Sequence, residues 1–446
     1  MTRALLLLAV VACKKSGPIE VALPEPVDPW SPAALQAYVD EIAPLVEEHA
    51  GRRFDSPPPL EVFDPAAFAE YVGKESKLIM DAVYRDTPEP IRQAKADAAA
   101  KAQMGGLFGK FGIFDGKTYI VPKAIEAAAE HDQAAAVDMA KIVIAHELTH
   151  ALQNQEYDAR DQLQHLIDLD QFHVWSSVSE GGANYVAVRV ARDLGLEAEF
   201  WDLTKEQGWG PDGLDQPLAY PIWMRYGRGM TMLEEVVAAG GMEAFWKWHA
   251  APPVSSSMIF RPETYSTELP ARALDLPEVL RGTEQQLTRA DWMTSNTRLG
   301  EFALRGDAIR TGKEAEFEPL LAHLVDAQHL DLSLPDRSGD IRVLVFDSPD
   351  NAGAYLELLR AEQTVEGQLL AKMLGVTVEV TYAEVKGVSA DATLLRSQFV
   401  PIGDGRFREE RTAWAQRGPY IVAVKAARFR PGLRLANTLN AVLERL

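Results

Sequence analysis

The chain has 446 residues, 47% apolar and 25% charged, a balance that supports two or three folded domains and excludes a disordered polypeptide. Its formal charge of −20 argues against a nucleic-acid partner, which needs a basic surface. The charge suits a solvated acidic surface, or substrates that are basic or neutral.

"MTRALLLLAVVACKKSG" opens the chain: Arg3, an apolar run from Ala4 to Ala12, then Cys13. A basic start, a short apolar stretch and small residues make a signal peptide over residues 1–12. The run falls short of the ~20 apolar residues that span a bilayer. "VVAC" resembles the bacterial lipobox, which implies that Cys13 becomes the lipidated first residue of the mature protein. Val10 stands where that motif usually has leucine. Cys13 is the only cysteine, so stability comes from packing and not from an intrachain disulfide. Residues 13–35, rich in Pro, Lys and Ser, read as a tether to the lipid.

A helix is predicted over "SPAALQAYVDEIAPLVEEHAG", with Ser31 as N-cap, Pro32 in its first turn and Gly51 closing it. Residues 65–103 read as helical with one polar face. "LFGKFGIFDGKTYIVP" (107–122) predicts two short strands about a tight turn at Asp115–Gly116. A long helix follows, from Ala124 or Asp132 to Asp158, and then a polar stretch over 158–172. "SSVSEGGANYVAVRVARDLG" predicts a second helix, capped by Ser176 or Ser177 and ended by Gly195. Further helices over 217–250 break at Gly240–Gly241 and stop at Pro252–Pro253. Trp201, Trp209, Trp223, Trp246 and Trp248 are the expected core of this helical part. From about residue 296 the pattern changes. "DIRVLVFDS", "VTVEVTYAEVKG", "ATLLRSQFVP", "RFREERTAWAQ" and "PYIVAVKAA" read as strands. "PDNAGAYLELLRAEQ" and "LRLANTLNAVLERL" read as helices. That is an α+β domain, 296–446, with a mostly antiparallel sheet.

Within the long helix, "IVIAHELTHALQNQ" carries H-E-x-x-H. His146 and His150 are one turn apart on one helix face, so both imidazoles can meet one Zn²⁺ at ~2.0–2.1 Å. Glu147 lies about 100° further round, beside the ion and not on it. A carboxylate there is a general base for a water that zinc acidifies. The surrounding helix is apolar on nearly all sides, through Val143, Ile144, Ala145, Leu148, Ala151 and Leu152. Uncompensated imidazole and carboxylate in such a setting cost several kcal/mol, roughly, and a metal removes that cost.

A catalytic zinc needs a third protein ligand. Gln153 and Glu156 stand where a metzincin would have glycine and histidine, which excludes that subclass. Glu156, Asp158, Asp161, His165, Asp168, Asp170, His173 and Glu180 are the candidates. Glu180 stands out in the first turns of the second helix, beside Gly181, Gly182 and Ala183. Two helical glycines cost ~1 kcal/mol each relative to alanine, so they point to a close helix approach. Asp161 or His173 is the substitute. His165 and His173 otherwise read as surface histidines. Asn184, one turn after Glu180, is placed to accept a hydrogen bond from a ligand imidazole.

"HELTHALQNQ" followed by "EGGANYVA" resembles the gluzincin branch of zinc metallopeptidases. Within it, the chain is similar to bacterial envelope proteins that read HELTHALQDQ, then E-G-x-A, then a PP-x-S-S segment ending P-E-x-Y. The last is present as "PPVSSSMIFRPETY" (252–265), while Asn154 replaces the usual aspartate. The resemblance covers about 104–265. It implies a zincin-like, mainly helical metallopeptidase domain (36–295) with a small sheet above the motif helix. It implies His146, His150 and Glu180 on zinc, with Glu147 as base and proton shuttle. An extended peptide would pair with the sheet edge near 109–122. Tyr265, Arg261, His249 and Tyr220 are candidate donors to the oxyanion.

The expectation is therefore a zinc-dependent metallopeptidase with a peptide or protein substrate and no nucleic acid, anchored to the membrane through its N-terminal lipid in the bacterial envelope. Lys14 after Cys13 points to the outer membrane if the host has one. The rival is a non-catalytic zinc lipoprotein whose C-terminal domain is a binding surface. Metal-assisted hydrolysis of a non-peptide bond is a third reading.

Overall fold

The computed structural model describes residues 28–63, 65–103, 107–206, 220–268, 275–287, 293–311, 314–334, 337–360, 380–403, 406–427 and 435–446. The expected leader, Cys13 and most of the tether lie outside the described residues, as does Trp209. The architecture is mixed α+β. No helix among the described residues is long and apolar enough to cross a membrane.

Helix α1 (Pro32–Ala50) starts as its sequence directs: the Ser31 hydroxyl accepts from the Ala34 N–H, and Gly51 closes the helix in the left-handed region. The polar-faced segment after it is two helices, α2 (Pro65–Val83) and α3 (Glu89–Gln103). A three-stranded sheet comes next, in the order β1 (Leu60–Val62), β3 (Thr118–Ile120), β2 (Gly109–Phe111). Strand β1 runs parallel to β3 and β2 antiparallel. The β2–β3 connection is wider than the expected tight turn: it spans residues 112–117, with Gly112 N–H bonded to Lys117 O and Gly116 N–H to Gly112 O. The Asp115 carboxylate, which accepts from the Lys117 N–H and the Tyr119 hydroxyl, holds that loop open.

After α4 (Pro122–Ala128), Asp132 caps the motif helix α5 (Gln133–Glu156). Apolar on nearly all sides, α5 is central, as that pattern requires. It packs on α1 and on α7 (Leu169–Asp193), which follows α6 (Ala159–His165). Helix α7 begins earlier than its sequence suggests. Asp168, not Ser176 or Ser177, is the cap, accepting from Gln171 N–H at 2.8 Å, and Ser177 is buried. Glu180 thus sits in the middle of a 25-residue helix and not in its first turns. Helix α8 (Glu197–Glu206) and α9 (Tyr220–Trp223) follow. A π-helical turn, Met224–Arg228, then leads into α10 (Gly229–Ala250), which breaks at Gly241. Trp246 and Trp248 are buried in this core, and Trp201 and Trp223 pack against it.

Helices α11 (Ser257–Phe260) and α12 (Leu276–Leu287) lead to a seven-stranded, wholly antiparallel sheet. Its order is β4 (Met293–Arg298), β5 (Leu324–Leu334), β6 (Arg337–Phe346), β10 (Tyr420–Ala427), β9 (Arg406–Arg417), β8 (Ala392–Gly403), β7 (Val380–Ala383). Strands β4 and β5 escape the sequence reading, and the expected boundary at 296 falls inside β4. Helices cover both faces. Leu344, Phe346, Ile421 and Ala423 pack under α13 (Gly300–Thr311), α14 (Glu314–Leu321) and α15 (residues 349–360). The alternate residues Ile341, Val343, Val422 and Val424 pack under α12 and α16 (Leu435–Leu443). Burial on both faces is why "IRVLVF" and "YIVAV" are nearly unbroken apolar runs.

Buried charges join this sheet to the helical part. Arg298 of β4 lies 3.1 Å from Asp326 of β5 and 3.5 Å from Asp170 of α7. Asp170 also accepts from the Ser256 N–H, and the Ser256 hydroxyl accepts from Phe302 N–H. The "PPVSSSMIFRPETY" segment is thus a joint between the two parts.

Candidate metal centre

Helices α5 and α7 bring His146, His150 and Glu180 together, the one group of metal-ligand type found among the described residues. His146 Nε2 and His150 Nε2 are 3.1 Å apart, and each is 3.2 Å from Glu180 Oε2. Bonds of ~2.0–2.1 Å in a tetrahedron separate ligand atoms by about 3.3–3.4 Å, so the three donors fit a zinc ion closely. His146 and Glu147 are buried, and His150 and Glu180 are half-buried and face a cleft. Burial opposes the charge on Glu180, but His150 and His146 hold its carboxyl well below the usual range. Burial likewise opposes the charge on His150, and Glu180 overrides it, pushing His150 up to about 9.

Both imidazoles present Nε2 to the group because their other nitrogens are engaged. Asn184 Oδ1 lies 2.9 Å from His146 Nδ1, the contact expected of it. Gln153 Oε1 lies 2.9 Å from His150 Nδ1. Glu147 is not in the group. Its Oε2 accepts the Phe111 N–H of strand β2 at 2.6 Å. That bond changes the expected role of the strand edge. Phe111 offers its outward N–H to Glu147, leaving Gly109 as the next residue whose backbone faces outward for a bound chain.

The other candidates for third ligand serve elsewhere. Asp158 and Asp168 cap helices, and Asp170 pairs with Arg298. Glu156 pairs with Arg52, and exposed Asp161 with exposed His165. His173 is buried against Phe302 and not on the surface, because α7 is covered by α13. Asn154 accepts from the Ala159 N–H, which steadies the start of α6.

All four expected oxyanion donors are committed to structure. Tyr265 donates to Ala251 O, Tyr220 to Phe302 O, and Arg261 pairs with Glu301. His249 lines the cleft, and its ring nitrogens are engaged by Phe245 O, Gln153 and the Val178 backbone. Sequence reasoning missed Tyr226. The π-helical turn carries it over His146, with ring centroids 5.9 Å apart, and its phenol hydrogen-bonds Glu180. Burial, then the charges of Glu180 and Glu147, hold that phenol well above its ordinary value, so it keeps its proton. No 3.6-residue pattern reveals a π turn; the signal present was "GRG" after Tyr226, because Gly229 packs on Gly181. A Cβ on Gly181 would come within 2.2 Å of the Gly229 carbonyl carbon.

Two hollows meet at the group, sharing Leu107, Gly109, His146, Glu147 and Tyr226. One, about 290 Å³, is apolar, walled by Ile142, Val143, Phe200, Leu203 and Ile222. The other is more polar, with Gln162, Trp175 and the Glu75–Lys110 pair at 2.8 Å.

No protein-family model matches the chain, and no curated protein matches it. Among solved structures it is similar to a provisionally assigned hydrolase with a novel fold from Chloroflexus aurantiacus. The two are 18% identical over 53% of this chain and 90% of that one, with a TM-score of 0.33. A TM-score that low does not establish a shared fold.

Proposed function

We propose that this chain is a zinc-dependent metallopeptidase of the gluzincin kind, with a zincin-like helical part, tethered in the bacterial envelope through Cys13. The reading rests on one observation: three donors converge at 3.1–3.2 Å while a fourth carboxylate, Glu147, is held beside them by a backbone N–H. Three protein ligands make an open set of the catalytic type, whereas closed structural sites have four. A purely structural clip has no use for Glu147.

His146, His150 and Glu180 would hold the zinc, which when bound would supply Lewis acidity to a scissile carbonyl and to a water. The remaining work falls to the chain's own groups. Glu147, aimed by the Phe111 N–H, takes a proton from the attacking water and returns it to the leaving amine. The Tyr226 phenol, whose partner is Glu180, would turn its hydrogen to the carbonyl oxygen where negative charge develops once that carboxylate is on zinc. Gly109 aligns the substrate backbone, and the apolar hollow accepts an apolar side chain beside the scissile bond.

The test is metal content together with hydrolysis of an unstructured polypeptide. We expect about one zinc per chain, loss of zinc in His146→Ala and in His150→Ala, and cleavage abolished by a chelator and restored by zinc. Full zinc retention in both variants overturns the reading.

A further inference from the structure

We propose that Gln153 and His249 are positioning residues that together fix the ring orientation and tautomer of His150. This rests on the zinc reading above.

The polarity of each link follows from an atom that can only accept. Gln153 Nε2 lies 3.0 Å from the Ser179 carbonyl oxygen, which fixes the amino end of the amide there. His249 Nδ1 lies 2.8 Å from the Phe245 carbonyl oxygen, the stronger of its two backbone contacts (the other is to Val178), which places the proton of neutral His249 on Nδ1. Burial keeps that imidazole neutral, pushing it down to about 4. Its Nε2 is then a lone pair, and it takes the second N–H of Gln153 at 3.1 Å. Gln153 is thereby held with Oε1 toward His150 Nδ1 at 2.9 Å. An amide oxygen only accepts, so His150 carries its proton on Nδ1 and presents Nε2 to Glu180 and His146. The Ser179 hydroxyl steadies the same oxygen from 3.2 Å.

The packing is built around these contacts. Gln153 and His249 are 7% and 5% exposed, although both border the cleft. A Cβ on Gly182 would lie 2.4 Å from His249 Nε2 and 2.8 Å from Gln153 Nε2. The second glycine of "EGG" therefore leaves room for this pair, as the first does for Gly229.

The experiment is a double-variant cycle read by zinc affinity, through chelator competition at one pH, on the full chain. Gln153→Met keeps the volume but removes both ends of the amide. Zinc affinity should fall roughly 10- to 100-fold. His249→Phe keeps the aromatic packing and removes the acceptor, and should weaken zinc severalfold. Because His249 acts only through Gln153, His249→Phe should cost nothing further in the Gln153→Met background. Thermal midpoints of the metal-free variants show whether each folds. Should Gln153→Met unfold, Gly182→Ala, whose added Cβ meets His249 and Gln153 first, must reproduce the loss of affinity. Wild-type affinity in a folded Gln153→Met overturns the proposal, and an equal loss from His249→Phe in both backgrounds removes His249 from it. A wild-type chain that binds no zinc overturns the metallopeptidase reading, and this one with it.

Discussion

Glu147 and Glu180 flank the same imidazoles, yet the fold turns them to different partners. Glu180 presents one oxygen to both Nε2 atoms, and Glu147 turns its Oε2 to the backbone of β2. Substitution should separate them. Glu147→Gln keeps shape and zinc, and should lower hydrolysis by at least ~100-fold; an active variant would sink the mechanism. Glu180→Ala should lose zinc and hydrolysis together, while Asp161→Ala, exposed and remote from the group, should match the wild type in both assays. Tyr226→Phe should keep zinc and lower kcat by roughly 10²–10³, the usual cost of one oxyanion donor. Unchanged kcat there would return Tyr226 to the role of packing residue.

At the scale of elements, the site depends on how closely three backbones approach. Strand β2 lies on α5 because residue 109 has no side chain: a Cβ there would sit 2.6 Å from Val143 Cγ1 and 3.1 Å from Glu147 Cγ. Gly109→Val should push β2 outward and break the Phe111–Glu147 bond. Overpacking of this kind costs about 1–3 kcal/mol. The expected outcome is a lower thermal midpoint and a larger loss of hydrolysis than of bound zinc. Equal losses of zinc and hydrolysis would show that β2 positions the ligands and not the base. The π turn reaches Glu180 through the Gly181–Gly229 contact, and α7 reaches α5 through its whole buried face.

Across the whole molecule, buried groups tie stability to pH. His173 and His249 are both neutral in the fold. Burial, with Arg225 adding to it, holds His173 well below its ordinary value, and burial pushes His249 down to about 4. In the unfolded chain each titrates near 6.5. Below that pH the unfolded state binds protons that the folded state refuses, so stability present above ~6.5 is lost as pH falls. The slope is at most about 1.4 kcal/mol per pH unit for each group. The thermal midpoint of the metal-free chain should drop between pH 7 and 5, and less steeply in His173→Phe. Parallel curves would mean that His173 is charged inside the fold. Lipid attachment is tested separately: Cys13→Ser should move the protein from the membrane fraction to the soluble one.

Much was legible in the sequence because it is local. Caps, chain breaks and the i, i+4 histidines depend on neighbours within a turn, and they placed α1, α5 and the break at Gly241 where they are found. Glu180 was also legible, because its glycine neighbours point to the close approach that Gly229 makes; only its place changes, from the first turns of the helix to the middle. Other features required the tertiary structure. Asp168 captured the start of α7 because β4 and α13 cover its first turns and bury Asp170 and His173, which as sequence read like solvated residues. Gln153 and Tyr226 joined the site because α10 and the π turn meet α7 across its glycines. Burial, hydrogen-bond polarity and backbone approach belong to pairs of residues far apart in the chain, and no spacing along it records them.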